Sequence, residues 1–370
     1  MFSSRATVCV VGGGPAGLAA AIALTRVRCA VTVVDCAAPP VDKACGEGLM
    51  PDSIAALQEL GVEIPAGAGF AFRGIRFTDS RSSVCADFPA GLARGVRRTL
   101  LHQLLIEHAE RLGISIVWGA KHVKLETGGV SIDDRFLQAD LVVGADGQNS
   151  QIRRQASLDQ ITREKRRYAF RRHYRIAPWS PHMEVHWGRR SQVYITPIAA
   201  DEICVAAISR DPRFRLEHAL CDVPQAQQRL VDAVSISREM GALSVSRALK
   251  SVYRDDVVLI GDASGSVDAI TGEGMCLGFR QALALAEAFQ SRDLRQYQRL
   301  HRTLMKRPQT MASLMLGLER NGQFQRRALA GLAQQPEVFQ SLLAIHVGAS
   351  SFRDLCSRRL LQFGRAFLAA

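Results

Sequence analysis

Apolar positions along this chain follow two different rules. Short continuous runs at residues 7–11, 30–34, 141–143 and 257–260 end on glycine or acid, as buried strands of a parallel sheet do. Residues 98–112 and 274–289 read as helices and 115–118 as a strand, with a hairpin at Gly128-Gly129. Residues 74–78 and 83–88 read as a short strand pair. The extended runs 168–176, 183–187, 192–197 and 202–209 alternate, which predicts a sheet with one face over a pocket. From Asp293 onward the pattern is helical, without repeats or low-complexity tracts. No Pro/Gly linker divides the chain, so its parts are expected to interleave.

Chemistry enters where the strands end. The run 7–11 meets Gly12-Gly13-Gly14-Pro15-Ala16-Gly17, a helical stretch follows, and the next run closes on Asp35. A strand entering a helix this way needs Gly12 for the turn and Gly14 for close approach of a pyrophosphate. Gly17 then lets helix and strand pack closely. The helix start offers free N–H groups to the phosphates, and Asp35 has the spacing of an acid that accepts from an adenosine ribose. A secretory leader is a poor fit, because its apolar region would contain three glycines and Pro15. Two later segments repeat the strand-then-glycine logic. They are Gly144-Ala145-Asp146-Gly147, with Ser150 and Arg153 beyond, and Gly261-Asp262-Ala263, closed by Thr271-Gly272-Glu273-Gly274.

In order and spacing these three segments resemble the FAD-dependent hydroxylases and reductases of the para-hydroxybenzoate hydroxylase fold, over residues 5–290. The resemblance implies an α/β chain with an α+β substrate domain. Residues 1–70, 94–155 and 250–290 would form a discontinuous Rossmann-like FAD-binding domain. Residues 71–93 and 156–249 would form an interleaved substrate sheet, and 291–370 a C-terminal helical segment. It also implies that Asp146 and the Gly261-Asp262 pair bind FAD, Asp262 accepting from the ribityl chain. Arg98 would open the helix lying over FAD. Gly274 and Met275 would begin a helix whose dipole stabilises negative charge on reduced flavin, at about 1 kcal/mol.

The loop 43–51, Lys-Ala-Cys-Gly-Glu-Gly-Leu-Met-Pro, falls where this fold brings a segment against the flavin ring. Its Cys-Gly-x-Gly pattern is similar to geranylgeranyl reductases, whereas Leu49-Met50-Pro51 and its continuation are more similar to aromatic hydroxylases. Two reactions therefore stand open. One is NAD(P)H-dependent hydroxylation of a lipophilic aromatic or polyketide-like compound of secondary metabolism. The other is saturation of prenyl double bonds. Cys45 is a candidate proton donor, and His173 and Tyr194 are candidates to deprotonate or orient a phenol. No metal cluster or paired-carboxylate constellation competes with a flavin.

Composition narrows the setting. Nine cysteines occur without a Cys-x-x-Cys pair, as in a cytoplasmic enzyme with reduced thiols and no zinc or iron–sulfur centre. No apolar stretch predicts a transmembrane helix. The formal charge is +12, and residues 291–370 hold thirteen Arg or Lys against four Asp or Glu. Residues 341–370 mix leucines and phenylalanines with Arg353, Arg358, Arg359 and Arg365. That pattern suits either a packed helix with a solvated face or peripheral contact with an anionic membrane. A second basic stretch, residues 163–175, interleaves arginines with Tyr168, Phe170 and Tyr174. It opens a minor alternative, a flavin-bearing nucleic-acid-binding protein. Strand periodicity argues instead that one of its faces packs or lines the pocket, so no nucleic acid is expected.

Overall fold

A computed structural model describes residues 5–319, 321–355 and 357–369. The side chains of residues 357–360, Arg358 and Arg359 among them, and of residue 369 lie outside those described. The first sheet has six strands in the order Tyr253–Arg254, Val257–Leu259, Leu141–Gly144, Thr7–Val11, Ala30–Asp35 and Ser115–Trp118. All neighbours are parallel except at the Tyr253–Arg254 edge. Register aligns the strand ends: Val11 lies opposite both Gly144 and Val34, and Gly144 opposite Leu259. The three glycine segments therefore leave the sheet side by side at its carboxyl edge, where open α/β sheets bind ligands. Backbone bonds join them, from Gly12 N to Val34 O, Ala145 N to Val11 O and Ile260 N to Gly144 O.

The helix Pro15–Arg26 is buried almost all round, from Leu18 to Leu24. It is sandwiched between the sheet and the helix Gly274–Gln290, so an apolar stripe on one side would not suffice. Alanines at 19, 20, 21 and 23 keep it thin, and Gly278 sits directly on Ala16.

The second sheet has eight strands. Seven run in the order Val234–Ser235, Ile161–Arg175, Glu202–Ser209, Ser191–Ala199, His182–Trp187, Gly74–Thr78 and Ser83–Asp87. Met240–Leu249 pairs with the other half of Ile161–Arg175. Both faces are covered. Val193, Ile195, Val205 and Ala207 pack under the short helices Leu216–Cys221 and Pro224–Arg229, which the hydrophobic pattern did not announce. On the opposite face Tyr194, Ala206 and Ile208 join a core that includes Met50, Phe72, Leu329, Phe339 and Leu343. The C-terminal helices Gly322–Gln334 and Pro336–His346 thus close the second sheet, while Leu294–Glu319 packs on Gly274–Gln290.

Candidate active site

A cavity of about 1020 Å³ runs from the three glycine segments to the second sheet. Gly12 has φ +116°, and a Cβ there would strike the Ala145 carbonyl, so only glycine makes this turn. Gly14 is different. Its backbone is extended and a Cβ would meet nothing within 4 Å, because its open side is the cavity. Gly17 is closed against the Gly12 carbonyl, as close helix packing requires. His102 braces the turn, its Nε2 lying 2.7 Å from Gly13 O, while Trp118 lies against Gly13.

Pro15, Ala16, Asp35, Arg98, Asp146, Gly261, Asp262, Gly274 and Met275 all line this cavity, so one wall gathers most of the residues expected to hold FAD. Asp35 accepts from Gly13 N at 2.5 Å and Ala37 N at 2.7 Å, leaving lone pairs for a ribose. The buried Arg98 Nε has no partner, as suits a donor awaiting a phosphate or ribityl oxygen. Among the described residues, the Asp262 carboxylate pairs with Lys43 Nζ at 3.8 Å and accepts no hydrogen bond. Asp146 has further contacts within the chain. It accepts from Ser150 Oγ and from the N–H groups of Gln151 and Ile152, capping the helix Gln151–Gln155. Arg153 is fully buried and bolts two of the segments together, donating to Gln148 O and Ala263 O. These residues fit the cofactor: open glycine cradle, helix N-terminus, ribose acid and ribityl acid.

Beyond the cradle the walls become apolar, with Met50, Met183, Ala206, Ile208, Val245 and Val267. One polar group stands out. Thr196 is 1% exposed, lines the cavity and has an Oγ1 without a partner. Two other expected residues have partners within the chain. Tyr194 lines the cavity, its hydroxyl proton donated to Ile270 O at 3.0 Å, and burial pushes its pKa far up. His173 lies behind the wall, with Nε2 2.7 Å from Glu47 Oε2 and Nδ1 facing Arg97, Arg171 and Ser237. Cys45 does line the cavity, its sulfur accepting from Glu47 N.

Glu47, which carries no signal of its own in the sequence, is the centre of this loop. With His173 and Cys204 it brings metal-ligand atom types within 4.8 Å of one another. Guanidinium groups only donate, so His173 Nδ1 must accept and Nε2 keeps its proton, which bars it from ligating an ion. Burial also holds the Cys204 thiol well above its usual range. The basic stretch is equally internal in part. Arg167 meets Asp268, Gln192 and Glu319, and Arg171 meets Asp42, whereas Arg163, Lys165 and Arg166 stay exposed.

Glu273 precedes the helix Gly274–Gln290, lines a second cavity with Arg307 and is 2% exposed. Burial pushes its carboxyl up to about 8; Arg307 at 2.9 Å opposes the shift and Asp52 adds to it. His346 beside it is pushed down to about 4 by burial.

A known family, described as an FAD binding domain, matches residues 5–292. This chain belongs to that family. It is an FAD-dependent oxidoreductase. A menaquinone reductase of Mycobacterium tuberculosis is 28% identical over 318 residues, 78% of each chain. An aurachin C monooxygenase/isomerase of Stigmatella aurantiaca is 24% identical over 315 residues, 76% of this chain and 79% of its own length. A solved flavoprotein/dehydrogenase from Cytophaga hutchinsonii shares the fold, with TM-score 0.79 at 18% identity over 93% of both chains. Among the described residues no helix is long and apolar enough to cross a membrane.

Proposed function

We propose that this flavoprotein is an NAD(P)H-dependent monooxygenase that hydroxylates a lipophilic, oxygen-bearing aromatic or polyketide-like ring. The observation that carries this reading is Thr196. A buried hydroxyl without a partner costs about 1–3 kcal/mol unless a ligand satisfies it. A plain alkene offers it nothing, whereas a ring hydroxyl or carbonyl completes it. Met183, Ala206, Ile208 and Val245 supply apolar walls that exclude water around the ring. Bound FAD supplies electrons drawn from NAD(P)H and activates O₂. One oxygen atom enters the ring and the other leaves as water. The test is turnover of hydroxyaromatic candidates under isotopically labelled O₂, with one labelled atom expected in the product. Thr196→Val should raise KM by up to about tenfold, the scale of one hydrogen bond, with FAD affinity unchanged.

A second reading, reduction of a prenyl double bond, is favoured by Cys45, which lines the cavity, and by the likeness to a digeranylgeranylglycerophospholipid reductase of Methanopyrus kandleri. Here a proton from Cys45 would complete the addition of hydride to the alkene. Anaerobic turnover giving a product heavier by two hydrogens, abolished by Cys45→Ser, would replace the first reading.

Peripheral membrane contact is supported by the last helix, Ser357–Ala369. Leu361 and Leu368 are 70% and 75% exposed, while Phe363 and Phe367 turn inward beside Phe324 and Gly331. With the basic excess of residues 291–370 this suits a surface helix on anionic lipid. Sedimentation with anionic vesicles should fall when Leu361 and Leu368 both become serine. Equal sedimentation of wild type and variant would remove this contact from the reading.

A further inference from the structure

Glu47 lies between Gly46 and Gly48 with φ +58°, a left-handed conformation that a non-glycine residue rarely adopts. It is also 1% exposed and lines the flavin wall of the cavity. A strained backbone carrying a buried carboxylate needs strong compensation, and each oxygen has it. Oε1 accepts from Arg98 N, the first N–H of the helix Arg98–Arg111, at 3.0 Å. Oε2 meets His173 Nε2 at 2.7 Å. The Glu47 carbonyl accepts from Val96 N. One residue thus ties the flavin-facing loop to a helix start and to the second sheet.

The imidazole is polarised in one direction only. Its Nδ1 faces Arg171 Nη1 at 3.0 Å, Ser237 Oγ at 3.1 Å and Arg97 Nη1 at 3.2 Å. Arg171 is held by Asp42 at 2.6 Å and Arg97 by Glu202 at 2.8 Å, so neither guanidinium is free to leave. With Nδ1 accepting, the ring proton sits on Nε2 and points at Glu47.

We infer that Glu47 and His173 form a positioning pair: His173 fixes the Glu47 carboxylate as an anion, and that carboxylate holds residues 45–48 against the flavin ring. The inference rests on FAD occupying the cavity and is independent of whether the reaction is hydroxylation or reduction. A fixed anion opposes the negative charge that reduction adds, so it keeps the potential of the bound flavin low.

Two substitutions with opposite expectations test this. In Glu47→Gln the amide group cannot be satisfied. Whichever way it turns, its NH₂ meets either the Arg98 N–H or the His173 Nε2–H. In His173→Gln the pattern is preserved, because the carbonyl oxygen accepts from Arg97 and Arg171 while the NH₂ donates to Glu47. Flavin-fluorescence titration and dye-equilibrated redox titration on the purified protein read both. Glu47→Gln and His173→Leu should weaken FAD binding about tenfold or more, the scale of a lost charged hydrogen bond. Glu47→Gln should also raise the midpoint potential. His173→Gln should recover most of the FAD affinity that His173→Leu loses. Wild-type affinity and potential in folded Glu47→Gln would overturn the inference. So would a His173→Gln protein with wild-type affinity and potential whose turnover is lost together with one limb of its pH profile, since His173 would then be a titrating base. Should Glu47→Gln or His173→Leu fail to fold, retention or loss of FAD affinity in His173→Gln decides alone. A wild-type protein that binds no FAD would refute the cofactor assignment itself.

Discussion

Gly12 and Gly14 stand two residues apart in one turn, yet the structure separates their roles sharply enough to measure. Gly14 has φ −72° and ψ 176°, ordinary extended backbone that valine adopts without strain. A Cβ at this position meets no atom within 4 Å. In Gly14→Val the unfolded chain loses freedom, worth about 0.4–1 kcal/mol in favour of folding for a Gly→Ala change. Losing a tolerated N-cap residue costs a similar amount. Apoprotein stability should therefore stay within about 1 kcal/mol of wild type. The side chain, however, occupies the space where the pyrophosphate approaches the free N–H groups of the helix Pro15–Arg26. Losing one charged hydrogen bond there, at about 1.5–3 kcal/mol, weakens FAD binding about 10- to 100-fold. Gly12→Ala should behave in the opposite way. At φ +116° the left-handed backbone alone costs about 1–2 kcal/mol, and overlap with the Ala145 carbonyl adds to it, so the apoprotein itself is destabilised. Urea unfolding of both apoproteins and FAD titration by fluorescence quenching separate the effects. Wild-type FAD affinity in folded Gly14→Val would refute the placement of the pyrophosphate. So would a loss of stability as large as that of Gly12→Ala.

Asp262→Ala should weaken FAD binding by about 1–3 kcal/mol with little change in apoprotein stability, because its part-exposed carboxylate pairs with Lys43 at 3.8 Å; unchanged affinity would make it a turn residue. Glu273 gives a pH signature. Its folded pKa of about 8 lies above the unfolded value of about 4.3, so between these limits the folded chain keeps a proton that the unfolded chain releases. Stability then falls as pH rises, by at most about 1.4 kcal/mol per unit. His301 and His346, both pushed down to about 4, act in the opposite sense only below about pH 6.5, leaving pH 6.5–8 to Glu273. Glu273→Gln should flatten the stability curve in that window, and an unaltered slope would show that the proton resides elsewhere.

The cofactor cradle was legible because its information is local. A strand, a glycine turn, a helix and an acid lie within residues 7–35, and their geometry follows from periodicity and from which residues tolerate a given turn. Alternation along Gln192–Pro197 likewise placed Tyr194 and Thr196 on one face, though not the donation from Tyr194 to Ile270 O or the lack of a partner that singles out Thr196. Charge was the least legible property. Arg167 and Arg171 read as members of a basic run, yet both are buried against acids more than a hundred residues away in sequence, Asp268 and Glu319 for one and Asp42 for the other. Glu47 and His173 are 126 residues apart and carried no mutual pattern. The sequence by itself determined the strands, the turn and the helix of the glycine cradle, since backbone geometry there is set by near neighbours. Only the tertiary structure decided which ionisable groups face the cavity and which are locked behind it. Those pairings are made where the two sheets and the C-terminal helices meet, and no local period encodes which distant strand will supply the partner.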